Sequence, residues 1–312
     1  MVNAGNALVA ALGDDVDRLL AAEPEVRADA DDSVHQMRVA TRRLRSVLRS
    51  YRGLFEKAPA TVMGAELKWL AGLLGVARDA EVHADRFAAL LAEHTPSSEP
   101  SKARSGSATT DSAAFEQAAA TRTDIETVTA ELVGAQQARY ASAHAEIIAA
   151  LDGHRYRTLR DELSVWRTDP PLDHAQAAKP ATRTFERVIR GDRKRLRRLV
   201  FAEPTVSPAE HIELLHDIRK SAKRLRYSCA GAASTLGAAA TELGANAKRL
   251  QTVLGDHRDA IESRDTIVAR AAESHATGTV AAIYELLADA EEIAAGKALA
   301  HYPTAATFVS AD

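Results

Sequence analysis

An all-α fold is predicted from three observations. Ala, Leu, Arg and Glu, all good helix formers, dominate the 312 residues. Runs of β-branched residues are short, so no stretch reads as a strand. Apolar residues recur at three- and four-residue spacing, the period of a helix with one packed side. With 46% apolar residues the chain can bury a real core. Its length fits one large or two ordinary domains.

The elements follow in order. Asn3–Ala22 is apolar at helical spacing (Leu8, Leu12, Val16, Leu19) and is expected to stop before Pro24. Residues 25–32 read as an acidic connection, and Ser33 as the N-cap of the next helix, which stops near Gly53. Ala60–Leu91 is a long helix with Leu67, Leu70, Leu74, Phe87 and Leu91 on one side. The Ser/Thr/Pro/Gly-rich stretch 95–112 reads as a disordered loop. Helix resumes near Ala113, runs to Leu151, is interrupted at Gly153 and returns over His154–Trp166. Residues 169–180, with Pro170, Pro171 and Pro180, form a linker. Ala181–Phe201, Pro208–Ala233, Ala238–Ser274 and Thr279–Leu299 are four further helices, and a tail from 303 to 312 is expected to fray. Residues 1–168 and 181–302 are thus two halves, each of several antiparallel helices packed as a bundle.

The stretch HQMRVATRRLRSVLRSY, His35–Tyr51, holds the strongest chemical signal. Arg38, Arg42, Arg43, Arg45, Arg49 and the following Arg52 come with no acid among them. At about 100° per residue, His35, Arg38, Arg42, Arg45 and Arg49 share one stripe. Met37, Ala40, Leu44, Val47, Leu48 and Tyr51 fall roughly opposite and predict the packed side.

The pattern occurs twice. HDIRKSAKRLR, His216–Arg226, aligns His216, Arg219, Lys223 and Arg226 with His35, Arg38, Arg42 and Arg45, over a packed side of Ile218, Ser221, Leu225 and Cys229. Upstream, Leu19 and Ala22-Glu23-Pro24 match Leu199 and Ala202-Glu203-Pro204. Downstream, Lys68, Leu70, Leu74-Gly75 and Arg78-Asp79-Ala80 match Lys248, Leu250, Leu254-Gly255 and Arg258-Asp259-Ala260. Matches in the same order imply two related halves of one fold.

A single basic helix face usually means a solvated surface balanced by acids elsewhere. Here the acids that would relieve it at i,i+4 are missing, and like charges at that spacing repel. A further row, Arg183, Arg187, Arg190, Lys194 and Arg197, lies over Phe185, Val188, Ile189, Leu196 and Leu199. An external anion would relieve such rows. Arg favours phosphate, because a guanidinium can make two parallel hydrogen bonds to one oxyanion. Stripe residues sit roughly 5–6 Å apart along the axis at 1.5 Å rise per residue, which suits a linear polyanion rather than one phosphate ester. His35 and His216 head the stripes, either as donors to phosphate or as polar residues near a helix start. Lys68 and Lys248 read as ligand contacts. Arg78 and Arg258 lie in line with the packing side and read as half-buried partners of a carboxylate, with Gly75 and Gly255 allowing close helix approach.

These paired motifs, H-x-x-R-x-x-x-R/K-R-L-R and L-G-x-x-R-D, resemble those of the CHAD family, the conserved histidine α-helical domain, over roughly residues 4–300. The resemblance implies two bundles of about four helices each, in pseudo-twofold arrangement around a basic groove or pore. It implies binding of inorganic polyphosphate and, for some members, association with polyphosphate or polyhydroxyalkanoate granules. Carried over, the binding residues are His35, Arg38, Arg42 and Arg45 with His216, Arg219, Lys223 and Arg226. Arg49 extends the first row, while Ala230 stands near its counterpart. Arg187, Arg190, Lys194 and Arg197 have no basic equivalents in the first half, so binding is expected to be less symmetric than the fold. Many relatives carry a triphosphate-tunnel domain with an E-x-E-x-K signature; Glu23-Pro24-Glu25-Val26-Arg27 is not that motif, and the likeness is to a stand-alone member.

Three other functions compete with polyphosphate binding. A nucleic-acid binder would need aromatics interleaved with the basic rows, but aromatics are only 4% of the chain and do not interleave. A phosphohydrolase would need clustered carboxylates or a phosphate-cradling glycine loop, and no G-x-x-x-x-G-K-[ST] occurs. A granule-coat scaffold has no specific support. The expectation is therefore a non-catalytic binder with no metal and no cofactor. Lone Cys229 excludes a disulfide within the chain and every multi-cysteine metal site. Asp14, Asp15 and Asp17 come early where a signal peptide would be basic, and no uncharged apolar run of about 18 residues is found. No membrane span and a cytoplasmic location, on granules at most, are expected.

Overall fold

The computed structural model describes residues 2–95, 110–205 and 207–310. The described residues are almost entirely helical, and the β-pairing among them amounts to two isolated bridges, Asn3 with Pro180 and Phe55 with Leu172. The helices are α1 (Ala4–Arg27), α2 (Ser33–Ser50), α3 (Lys57–His94), α4 (Thr110–Thr129), α5 (Ala135–Asp152), α6 (His154–Trp166), α7 (His174–Ala177), α8 (Ala181–Ala202), α9 (Pro208–Leu236), α10 (Ala238–Glu273), α11 (Gly278–Ala300) and α12 (Tyr302–Ala306). Most of the stretch expected to be a disordered loop, 96–109, lies outside the described residues.

Three boundaries differ from expectation. Helix α1 runs through Pro24 to Arg27. A mid-helix proline costs a hydrogen bond, but Val26 is fully buried and Arg27 pairs with Glu23 at 2.9 Å and Asp152 at 2.6 Å, so packing and charge hold the last turn. Ser33 is not the N-cap of α2. It is the first helical residue and is buried, while Asp32 takes the cap position in a left-handed conformation, φ 56°, and accepts a bond from Gln36. The segment from Pro303 does not fray: Tyr302, Ala306 and Val309 are buried, and the turn Thr307–Val309 packs on α8.

The chain divides into two compact units, Met1–Val76 with Ala143–Gly255 and Leu299–Asp312, and Ala77–Ser142 with Asp256–Ala298. Each unit draws on both sequence repeats. In the first, α1 packs on α2 and α8, α2 packs on α9, and α8 packs on α9. The apolar side foreseen for α2 is buried throughout: Met37, Ala40, Leu44, Val47, Leu48 and Tyr51. So is that of α9, with Ile218, Ser221, Leu225 and Cys229. Full burial of a Leu or Met side chain stabilises by about 1.5–3 kcal/mol, so these faces fix how the helices meet. Tyr51 links three helices: its ring packs 4.8 Å from that of Phe185, and its hydroxyl donates to the Ser228 carbonyl at 2.6 Å. A Cβ on Gly231 would stand 3.1 Å from the Tyr51 ring, so α9 approaches this closely because residue 231 has no side chain.

The second unit packs Phe87, Leu91, Val128, Leu132, Ile267, Ile283 and Leu287 in one cluster. A π-helical turn, Ala130–Gly134, joins α4 to α5 and puts Leu132 and Val133 side by side in that core, while Glu131 accepts a bond from Tyr284. Buried Glu291 accepts a bidentate pair of bonds from Nε and Nη2 of Arg86. Among the described residues one helix, α3, is long and apolar enough by length and composition to cross a membrane, but Glu66, Lys68 and Arg78 interrupt it, so it is not an uncharged apolar run. Its Leu67, Leu70, Leu74 and Phe87 are spent on the protein core.

Candidate functional site

In the first unit, α2, the start of α3 and α9 enclose a cavity of about 800 Å³. Eight cations line it: Arg42, Arg45, Arg49, Arg52, Lys57, Lys220, Lys223 and Arg224, with no carboxylate among the lining residues. Both copies of the basic motif contribute. The α2 wall follows from that helix burying its opposite side, which leaves Arg42, Arg45, Ser46 and Arg49 on the cavity side. Ser50, Gly53, Thr61 and Gly64 complete a small, polar rim.

Two of the eight are neutralised internally. Lys220 pairs with Asp217 at 2.6 Å, and Arg224 with buried Asp192 of α8 at 2.6 Å. The other six make no ion pair among the described residues. Arg42 donates from Nε to the Tyr227 hydroxyl at 3.3 Å. Burial first, then Arg49 beside it, holds the pKa of Arg45 below its ordinary value. Lys223 is affected most. Burial, then the charges of Arg42, Arg219, Arg38 and Arg45, lowers its pKa to about 7. Two like charges about 6 Å apart repel by roughly 1–3 kcal/mol between the dielectric of water and an effective value near 20. An anion in the cavity would relieve several such terms at once.

The motif arginine between the two stripe positions has a different task. Arg43 donates from Nε to Asp15 of α1 at 2.7 Å, and Asp15 is 3% exposed and also accepts from Arg18 at 2.7 Å. Its repeat counterpart Arg224 pairs with Asp192, also 3% exposed, which further accepts from Ser228. In each repeat the first arginine of Arg-Leu-Arg fastens the basic helix to the one before it.

Of the residues foreseen as binding, Arg42, Arg45, Arg49 and Lys223 meet in the cavity. Arg38 and Arg219 stand near enough to act on the charge of Lys223 but do not line the cavity. His35 and His216 are half-buried near the starts of their motifs, away from the lining at the far end of α2. Arg226 turns aside, donating to the Gln251 side-chain oxygen at 3.3 Å with its guanidinium 5.2 Å from the Tyr227 ring. Lys68 is exposed one turn beyond Gly64, the last α3 residue of the lining, and Lys248 is exposed outside it. Arg187, Arg190, Lys194 and Arg197 are exposed on α8 and take no part in the cavity. Arg52, Lys57, Lys220 and Arg224 are lining cations that the stripe argument missed. Arg52 and Lys57 flank a helix break, where helical periodicity carries no information, and Lys220 and Arg224 lie on the shoulder of the α9 stripe.

Arg78 and Arg258, in the second unit, pair with carboxylates as foreseen. Arg78 bonds Glu81 at 2.8 Å, and Arg258 bonds Glu262.

A family model described as the CHAD domain matches residues 10–268. This chain belongs to the CHAD family. Two uncharacterized proteins from two strains of Mycobacterium tuberculosis are 32% identical to this CHAD chain over 278 residues, 89% of its length and 48% of theirs. The chain therefore spans about half the length of the curated relatives it matches. PptA from Streptomyces chartreusis has a similar structure, with a TM-score of 0.71 at 18% identity, covering 97% of this chain and 99% of that one. The crystal structure of the CHAD domain from the plant Ricinus communis gives a TM-score of 0.60 at 21% identity, covering 100% and 93%. At such identities the likeness speaks for the fold shared by CHAD domains, not for a ligand.

Proposed function

We propose that this CHAD domain binds inorganic polyphosphate, without catalysis, in the cavity between α2, α3 and α9. One observation carries the reading: eight cations from both repeats line one cavity, and six of them make no ion pair among the described residues. A phosphate polymer supplies closely spaced negative charge of the kind this wall lacks, and each guanidinium can hold two oxygens. The lining offers no carboxylate to activate water or hold a metal, so it supports binding rather than hydrolysis. Binding of this kind would suffice to place the protein on polyphosphate granules.

The test is calorimetric titration with polyphosphates of defined length, beside duplex DNA and RNA as competitors at equal phosphate. Polyphosphate is expected to bind more tightly than either. Equal affinity for all three would reduce the site to a general polyanion surface. Phosphate release in the presence of Mg²⁺ or Mn²⁺ would overturn the non-catalytic part.

A further inference from the structure

Helix α8 carries a second cationic array that the cavity does not use. At about 100° per residue, Arg183, Arg187, Arg190, Lys194, Arg197 and Arg198 fall within about 60° of one line along the helix. All six are exposed. Arg183 to Arg198 spans roughly 22 Å at 1.5 Å per residue. Phe201 ends the row, half exposed, with the Arg197 guanidinium 5.1 Å from its ring. Arg183, Arg187, Arg190, Lys194 and Arg198 make no ion pair among the described residues, and Glu186 alone stands on the flank.

The direction of this row matters as much as its charge. The opposite side of α8 buries Phe185, Ile189, Asp192 and Leu196. Asp192 there holds Arg224, which lines the cavity. The cavity wall and the α8 row therefore lie on opposite sides of α8, and a bound chain segment cannot touch both without passing round the helix.

We propose that the outer face of α8 is a second polyphosphate-binding surface, and that with the cavity it makes the protein a cross-linker of polyphosphate chains. The inference rests on the polyphosphate reading of the cavity and adds a separate site. A linear anion fits the row better than the alternatives. The apolar side of α8 is already buried, so little is left to enter a lipid layer, and one aromatic ring gives scant stacking for bases. Two outward sites on one protein convert simple binding into a network, because each long chain can engage several proteins and each protein two chains.

The test compares wild type with the triple variant Arg187→Gln, Arg190→Gln, Lys194→Gln. Binding of tripolyphosphate is followed by calorimetry, and long-chain polyphosphate is titrated with light scattering as the readout. Wild type is expected to scatter most at intermediate ratios and to clear in excess polyphosphate. The variant is expected to lose scattering by about tenfold while its heat of tripolyphosphate binding at the cavity and its circular dichroism are kept. Scattering equal to wild type in the variant would overturn the inference, as would a variant impaired only toward duplex DNA. If wild type binds tripolyphosphate without scattering long chains, the cross-linking inference fails and the cavity reading stands. If wild type binds neither anion, both fail.

Discussion

The guanidinium of Arg219 lies against the backbone of Gly255: a Cβ there would be 3.5 Å from its Nε and 3.6 Å from Nη2. Arg38 bears the same relation to Gly75 in the other repeat, with Nε 3.9 Å from a Cβ there. The glycine of Leu-Gly-x-x-Arg-Asp thus makes room for an arginine of the basic motif. A methyl group at 255 would meet only ordinary contacts. Gly255→Ala is therefore expected to stabilise the protein by about 0.5–1 kcal/mol through helix propensity, with polyphosphate affinity unchanged. Gly255→Leu should instead push Arg219 aside and weaken binding. Urea denaturation and calorimetry on both variants check this.

Lys223 is expected to make binding depend on proton uptake. Its folded pKa of about 7 lies below the ordinary lysine value, through burial first and neighbouring cations second. Its contribution to stability is fully present above the unfolded pKa of about 10.5. That contribution is lost as pH falls through about 7. A polyanion favours the charged amine, so binding above pH 7 should draw in about one proton, and affinity should fall as pH rises from 7 to about 9. Titrations in two buffers of different ionisation heat measure the proton. Lys223→Met should abolish the uptake, and at pH 6 it should be more stable than wild type by about 1 kcal/mol or more.

Asp192 and Asp15 are expected to be structural anchors of the basic helices. Asp192→Ala would leave Arg224 and Ser228 without their buried acceptor, and a broken buried pair typically costs about 3–5 kcal/mol. Asp15→Ala should cost a similar amount through Arg43 and Arg18. A large fall in the urea midpoint with an unchanged slope is the expected signature.

These aspartates also mark where reading the chain alone stopped. The fold class, the packed sides of α2 and α9 and four of the lining cations were legible, because helical periodicity sorts Met37, Leu44 and Ile218 from Arg42, Arg45 and Lys223. Periodicity cannot say where along a helix a cavity opens. His35 and Arg38 share a stripe with Arg45 yet sit two turns or more away. It cannot see partners distant in sequence either: Arg43 looked like one more cation until Asp15 was beside it. Nor could it tell that the α8 row faces away from the α9 row, since that depends on how α8 docks.

Salt dependence offers a further check on the cavity count. Arg49→Gln with Arg52→Gln removes two lining cations that make no ion pair among the described residues. For a flexible single-stranded polyanion each lost phosphate contact is expected to lower the slope of log affinity against log salt by roughly 0.7. The pair should therefore flatten it by about 1.4. A slope equal to that of wild type would place these two arginines off the ligand's path.

The most direct trial of the cavity is the double reversal Arg42→Glu with Lys223→Glu, titrated with polyphosphate of defined length. It puts one carboxylate on each facing helix, in the middle of the cationic wall. The expected result is loss of measurable cavity binding with helicity by circular dichroism unchanged. Wild-type affinity in a folded double variant would contradict the assignment of polyphosphate to this cavity.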